Sequence, residues 1–191
     1  MPTVGLVRHG VTEWNSLGKA QGHSNISLNQ EGKNQALKLA ERLSKEEPWD
    51  VIITSDLSRA KETAEIIASR LPHTPIIEQP SIREMHGGEI EGTTEAERVA
   101  KWGEDWRNKE LGMEKRQDVA QRGGAFLEEL TSAYKGKRVL VVSHGAWIGI
   151  TLEYLFPEEY FYAFLENTSL SIIQKSDQGW RNVLFNCISH L

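Results

Sequence analysis

The residues of this chain best equipped for chemistry form a triplet, Arg8-His9-Gly10, at the end of the apolar run Val4-Gly5-Leu6-Val7. Arg8 offers a fork of donors matched to phosphate oxygens. His9 can act as a nucleophile or carry a proton. Gly10 lets backbone or ligand approach where a Cβ would block it. Three further sites have the same character: Arg59 just after Val51-Ile52-Ile53-Thr54, Glu84 in a Gly-rich loop, and His144-Gly145 just after Val139-Leu140-Val141-Val142. Each also has a plainer reading. The triplet could be a basic turn, Arg59 a solvated helix charge, Glu84 a cap or a partner of Arg83, and His144 a core histidine bonded to backbone.

The elements that must position these residues decide between the readings. Short apolar runs at Val4–Val7, Val51–Thr54, Ile76-Ile77 and Val139–Val142 read as buried strands, and helical patterns separate them. Asn29 is placed to cap a helix running to Lys45, with Ala36, Leu37, Ala40 and Leu43 on its buried face. Ser55-Asp56 is placed to cap a helix from Leu57, with Ala60, Ala64, Ile67 and Ala68 inward. Residues 94–109 read as one helix carrying Trp102 and Trp106, and Asp118–Tyr134 as another with Val119, Phe126, Leu127 and Leu130 inside. A further helix follows Gly145. Leu170–Ile173 and Val183–Phe185, joined by a Gln178-Gly179 turn, close the chain as antiparallel strands.

Strands alternating with helices predict an α/β fold. The expectation is a three-layer sandwich with a mostly parallel sheet, helices on both faces, an antiparallel edge and a small helical cap at roughly 88–117. The whole of 1–191 then forms one domain, since the cap segment is too short to bury a core of its own. In a parallel sheet the strand-to-helix junctions share one edge. Arg8, His9, Arg59, Glu84 and His144 are therefore expected to converge there.

Composition narrows the function. The 191 residues carry a net charge of −5, with 39% hydrophobic and 26% charged residues, as in an ordinary globular protein. That acidity argues against a general nucleic-acid binder, and a cationic pocket inside it suits a small anionic substrate. The single cysteine, Cys187, excludes a disulfide framework and a cysteine-based zinc site. His9, His23, His86 and His144 lack the close spacing of a zinc helix motif, so no metal and no cofactor is expected. No segment reaches transmembrane length and none reads as a signal peptide, which predicts a cytoplasmic protein without a membrane partner.

With these blocks in order, the sequence resembles the histidine phosphatase superfamily, the phosphoglycerate-mutase-like proteins, over essentially its whole length. The matching segments are Leu6–Gly10 with Asn15, Ser55–Ala60 with Thr63-Ala64, Arg83-Glu84, and Val142–Gly145. The resemblance implies that His9 is the nucleophile, phosphorylated during turnover, and that Glu84 is the proton donor. It implies that Arg8, Arg59 and His144 bind the phosphoryl oxygens, that Asn15 adds a phosphate contact, that Gln21-Gly22 lines the substrate side, and that Gly145 also contacts substrate. Neighbouring arginines should keep His9 neutral, and a carbonyl near Gly10 should fix its tautomer. Fixed positive charge on Arg8 and Arg59 would stabilise the transferring phosphoryl without a metal, and the helix after His144 could add its dipole. Burial and a bound phosphate dianion are expected to keep Glu84 protonated.

The implied activity is hydrolysis of a small phosphorylated metabolite. A phosphoglycerate mutase and a non-catalytic phosphoprotein-binding relative are the alternatives. Three departures bear on that choice: Val11 stands where the family usually has an acidic residue, Ala146-Trp147 follows His144-Gly145 where mutases show asparagine, and Gly87-Gly88 replaces a tyrosine soon after Glu84. The last two favour a phosphatase with a short, mobile cap. Met85, His86, Trp102, Trp106, Met113 and Trp147 could shape the pocket, though cap packing and an exposed loop account for them equally.

Overall fold

In the computed structural model, residues 2–159 and 164–191 are described. Six strands form one sheet, β1 Thr3–Arg8, β2 Val51–Thr54, β3 Ile76–Glu78, β4 Arg138–Ser143, β5 Leu170–Ser176 and β6 Gly179–Cys187. Their order is β3-β2-β4-β1-β5-β6. The first four run parallel, and β5 and β6 add an antiparallel edge.

Strand alternation builds two cores. Val4 and Leu6 of β1, Val51 and Ile53 of β2, and Val139 and Val141 of β4 face one layer; Val7, Ile52, Leu140 and Val142 face the other. Helices α5 (Arg116–Ala133) and α6 (Gly145–Leu155) cover the first, through Phe126, Leu127, Trp147 and Ile148. After the single turn α1 (Glu13–Ser16), helices α2 (Gln30–Leu43) and α3 (Ser58–Ala68) cover the second, through Leu39, Ala40, Leu43, Ala60, Ala64 and Ile67. Both sheet faces are thus covered, as parallel pairing requires. The edge strand β3 is the exception, with Ile76 and Ile77 exposed.

Local details correct three expectations. On α2, capped by Asn29 through Gly32 N–H, Leu39 is buried and Leu37 lies outside. Helix α3 starts at Ser58 with Leu57, which has no capping side chain, at the N-cap position; Ser55 accepts only from the Leu57 N–H, and Asp56 is engaged elsewhere. Asp56 pairs with Arg83, and Ser55 reaches His144. The expected helix over 94–109 is broken: α4 covers Glu95–Trp102 and Gly103 takes φ +86, a conformation that ends a helix. A 3₁₀ turn, Trp106–Asn108, follows. Trp102 and Trp106 therefore do not share a helical face, and Trp106 packs back on α4, its Nε1–H donating to Glu95 Oε1 at 3.0 Å.

Gly87-Gly88, expected to be a mobile root, is a packed corner. Gly87 is buried and donates to Glu91; Gly88, at φ +57, lies so close to Leu111 that a Cβ would fall 2.1 Å from its carbonyl oxygen. Among the described residues, no helix is long and apolar enough to cross a membrane.

Candidate active site

Sheet register brings the motif residues together. Arg8 is level with Ser143, and Thr54 with Val142, so β1, β4 and β2 end side by side with β4 in the middle. The next residue on each strand is His9, His144 and Ser55. Backbone bonds continue the ladder past the strand ends, from His9 N to Ser143 O and from Ser55 N to Val142 O, both at 3.0 Å. His144 consequently lies between His9 and Ser55. Its ring is tilted against that of His9 with centroids 5.3 Å apart, and its Nε2 is 2.9 Å from Ser55 Oγ.

His9 is only 2% exposed, and the segment before β5 closes over its backbone, with Asn167 and Thr168 both donating to its carbonyl. Its Nδ1 lies 2.7 Å from the Gly10 carbonyl, the acceptor anticipated from sequence. A carbonyl can only accept, so Nδ1 carries the proton and Nε2 keeps its lone pair. Burial, then the charges of Arg59 and Arg8, push the His9 pKa well below its usual value, and the ring is neutral. Gly10 is required for a second reason. A Cβ there would sit 2.5 Å from the Gly32 carbonyl of α2.

Arg59 is fully buried, which excludes a solvated helix charge. It donates through Nη1 to Ser24 O and through Nη2 to Gly22 O, both at 2.8 Å. Burial lowers its pKa to about 10, leaving it cationic at neutral pH. The loop that receives it is held by one carboxylate. Glu91 Oε1 accepts from His23 N and Gly87 N, and Oε2 from Ser24 N and Ser24 Oγ. Gly22, at φ +49, leaves no room for a Cβ beside Glu91. Arg8 is 6% exposed, donates to the Leu165 carbonyl and lies 4.6 Å from the Phe164 ring centroid. Burial lowers its pKa, partly offset by Glu84 and Glu166.

Glu84 neither caps a helix of its own segment nor pairs with Arg83. Its Oε1 accepts from Met85 N and Trp147 N, and its Oε2 from Ala146 N. The N-terminus of α6, expected to face the phosphate, is thus occupied by this carboxyl group. Glu84 is half-buried, less than expected.

A cavity of about 510 Å³ opens over these groups, lined by Arg8, His9, Asn15, Gln21, Gly22, Arg59 and Glu84 among others. Asn15 and Gln21 are fixed there through Thr12, whose backbone N–H donates to Asn15 Oδ1 and whose hydroxyl donates to Gln21 Oε1. The carbonyl of Asn15 is therefore taken, and its amide N–H groups are the donors it can offer. His144 lies behind His9, outside the lining, fully buried; burial and Arg59 push its pKa well below the usual value. Gly145 lines an adjoining cavity of about 340 Å³ with Arg8 and Glu84. Of the larger side chains considered from sequence, none lines the main cavity. Met85, Trp106 and Met113 line a separate one, and Trp147 is core, packed edge-on to Phe126.

Sequence reading missed Trp14, Lys19, Glu31, Arg98, Phe164 and Asn167, which also line the cavity. Asn167 is the most consequential, since its Nδ2 donates to the His9 carbonyl at 2.8 Å. The polar run Asn167-Thr168-Ser169 just before β5 was the available signal. Glu91 was hidden for another reason: it acts through loop backbone, which no residue pattern marks.

Three buried side-chain nitrogens here have no protein partner among the described residues: Arg8 Nε, Arg59 Nε and His144 Nδ1. Arg8 and His144 lie at the ends of β1 and β4, and Arg59 lies in the first turn of α3. Unpaired buried donors are costly, which marks these three as candidate donors to a bound anion.

The family model for the Histidine phosphatase superfamily (branch 1) matches residues 4–188. The uncharacterized phosphatase PhoE of Bacillus subtilis is 38% identical over 193 residues, covering 100% of this chain and 97% of its own. A metal-independent phosphoserine phosphatase of Arabidopsis thaliana is 34% identical, over 97% of this chain and 82% of its own. A phosphoglycerate mutase-like protein of Arabidopsis thaliana and a probable phosphoglycerate mutase of Photorhabdus laumondii match as well. Among solved structures, YhfR of Bacillus stearothermophilus superimposes with a TM-score of 0.89 at 28% identity, covering 100% of this chain and 99% of that one. The chain belongs to the histidine phosphatase superfamily.

Proposed function

We propose that this protein is a phosphatase that hydrolyses small phosphomonoesters through a phosphohistidine on His9. The observation that carries the reading is the trio of unpartnered buried nitrogens, Arg8 Nε, Arg59 Nε and His144 Nδ1, on residues that neighbour a neutral His9. Positive charge fixed in place before the reaction stabilises the equatorial oxygens of a transferring phosphoryl group without reorganisation. The cavity volume of about 510 Å³ suits a metabolite-sized ester.

In the first half-reaction His9 Nε2 attacks phosphorus, the P–O ester bond breaks, and the departing oxygen takes a proton from the Glu84 carboxyl. Glu84 Oε2 receives one backbone donor where Oε1 receives two, so Oε2 is the oxygen with room for that proton. In the second half-reaction water attacks the phosphohistidine, the N–P bond breaks, and Glu84 recovers its proton from the water. Asn15 binds phosphate through its amide donors, and Gln21 and Gly22 border the leaving group.

Hydrolysis is favoured over mutase action by Ala146 beside Glu84 and by the brief segment 88–115, which offers one helix, α4, as a lid. Because the Arabidopsis thaliana relative is named for phosphoserine, O-phosphoserine heads the substrate panel to be tested. The experiment measures phosphate release from that panel with EDTA present, beside a coupled assay for interconversion of 2- and 3-phosphoglycerate. Phosphate release outpacing isomerisation is the expected result. Primer-dependent isomerisation outpacing release would make the protein a mutase.

A further inference from the structure

Ser55 is a polar side chain in contact with the ring of His144, and the proposed mechanism does not use it. Fully buried at the end of β2, it should be inert if its only purpose were to begin α3. Its surroundings specify more. The Leu57 N–H donates to Ser55 Oγ at 3.3 Å, and His144 Nε2 lies 2.9 Å from the same oxygen. If the imidazole also donated, two N–H groups would converge on one oxygen, and the hydroxyl proton would have no acceptor among the described residues. The arrangement balances when Ser55 O–H points at His144 Nε2.

We propose that Ser55 is a positioning residue that locks His144 in the tautomer protonated at Nδ1, so that a neutral histidine can still donate a hydrogen bond to the phosphoryl group. The inference rests on the phosphatase reading for its purpose, though the tautomer itself does not depend on it. A neutral imidazole has one N–H, and only the atom opposite its acceptor position can donate. With Nε2 accepting from Ser55, the proton resides on Nδ1, the buried atom without a protein partner. The nearby His9 ring, 5.3 Å away between centroids, is where a transferring phosphoryl would supply the missing acceptor. Burial and Arg59 hold His144 neutral, so it cannot donate from both nitrogens at once as an imidazolium would. His9 and His144 are thereby set in the same sense by different devices. A carbonyl acceptor frees Nε2 of His9 for attack, and a hydroxyl donor frees the N–H of His144 for binding.

The test combines histidine tautomer assignment by ¹⁵N–¹H correlation spectroscopy with kinetics. In the wild-type protein His144 should carry its proton on Nδ1. Ser55→Ala should release that preference, lower kcat by about 100-fold, the scale of losing one transition-state donor, and leave KM nearly unchanged. Ser55→Thr, which keeps the hydroxyl, should restore the tautomer and most of kcat. In a His144→Ala background, Ser55→Ala should add little, whereas a purely structural role would multiply the two losses. Wild-type His144 protonated at Nε2, or a Ser55→Ala protein with unchanged tautomer and kcat, would overturn the proposal. A wild-type protein that releases phosphate from no ester would overturn the phosphatase reading instead, and the tautomer measurement would still decide this one.

Discussion

The Gly10 N–H donates to Thr63 Oγ1 at 3.0 Å, and that hydroxyl donates in turn to the Arg59 carbonyl at 2.7 Å. One buried side chain on α3 therefore ties the backbone that orients the His9 ring to the helix turn that carries Arg59. Two segments about fifty residues apart are held in one register by it. Thr63→Val keeps the shape and removes the acceptor. The buried Gly10 N–H would be stranded at a cost of about 1–3 kcal/mol, and kcat should fall with it. Thr63→Ser should retain both stability and turnover. Urea midpoints and steady-state kinetics for the two variants check this.

Glu91 holds the loop that holds Arg59. Its two oxygens accept four hydrogen bonds from residues 23, 24 and 87. Glu91→Gln puts an NH₂ against donors on one side, so the loop carbonyls of Gly22 and Ser24 lose their fixed positions and Arg59 its seat. The expected outcome is a loss of about tenfold or more in kcat/KM, equivalent to about 1.4 kcal/mol, with increased proteolysis at residues 21–25. Kinetics matching wild type would show that Arg59 is seated without this clamp.

How far the sequence alone reached follows from where its information lies. The strands are continuous apolar runs ending in polar triplets, so β1, β2 and β4 and the residues at their ends could be placed by pattern. Convergence of His9, Arg59 and His144 then followed from parallel pairing. Pattern fails where backbone groups do the binding. Glu84 taking the N-terminus of α6, Glu91 gripping loop amides and Asn167 holding the His9 carbonyl all depend on tertiary proximity. The expected single helix over 94–109 failed on one residue, Gly103, whose positive φ outweighed the tryptophan spacing on either side.

Stability should depend on pH through the buried histidines. His9 and His144 titrate well below the usual value when folded, and His190 is pushed down to about 4, in each case chiefly by burial. Below about pH 6.5 the unfolded chain binds protons that the folded chain refuses, so stability is fully present above that pH and declines as pH falls. Each of His9 and His144 contributes at most about 1.4 kcal/mol per pH unit to the slope. Urea melts from pH 7.5 to 4.5 should show the midpoint dropping below 6.5, and His144→Asn should flatten the curve. A midpoint rising on acidification would contradict the assignment of buried, neutral rings.

Glu84→Gln separates proton delivery from binding. Alkyl phosphates, whose leaving groups need a proton, should slow far more than an activated aryl phosphate, which departs unaided. Both substrate types are compared on one preparation. Equal losses would restrict Glu84 to its structural bonds with Met85, Ala146 and Trp147.

The central claim is the covalent intermediate on His9, and trapping it is the most direct measurement. Wild-type protein quenched in alkali during turnover of a ³²P-labelled ester should retain base-stable, acid-labile phosphate, mapped to the peptide containing Arg8-His9-Gly10. The His9→Ala protein, folded by circular dichroism, should retain none and release no phosphate. Label undiminished in His9→Ala, or mapped to another residue, would contradict the account.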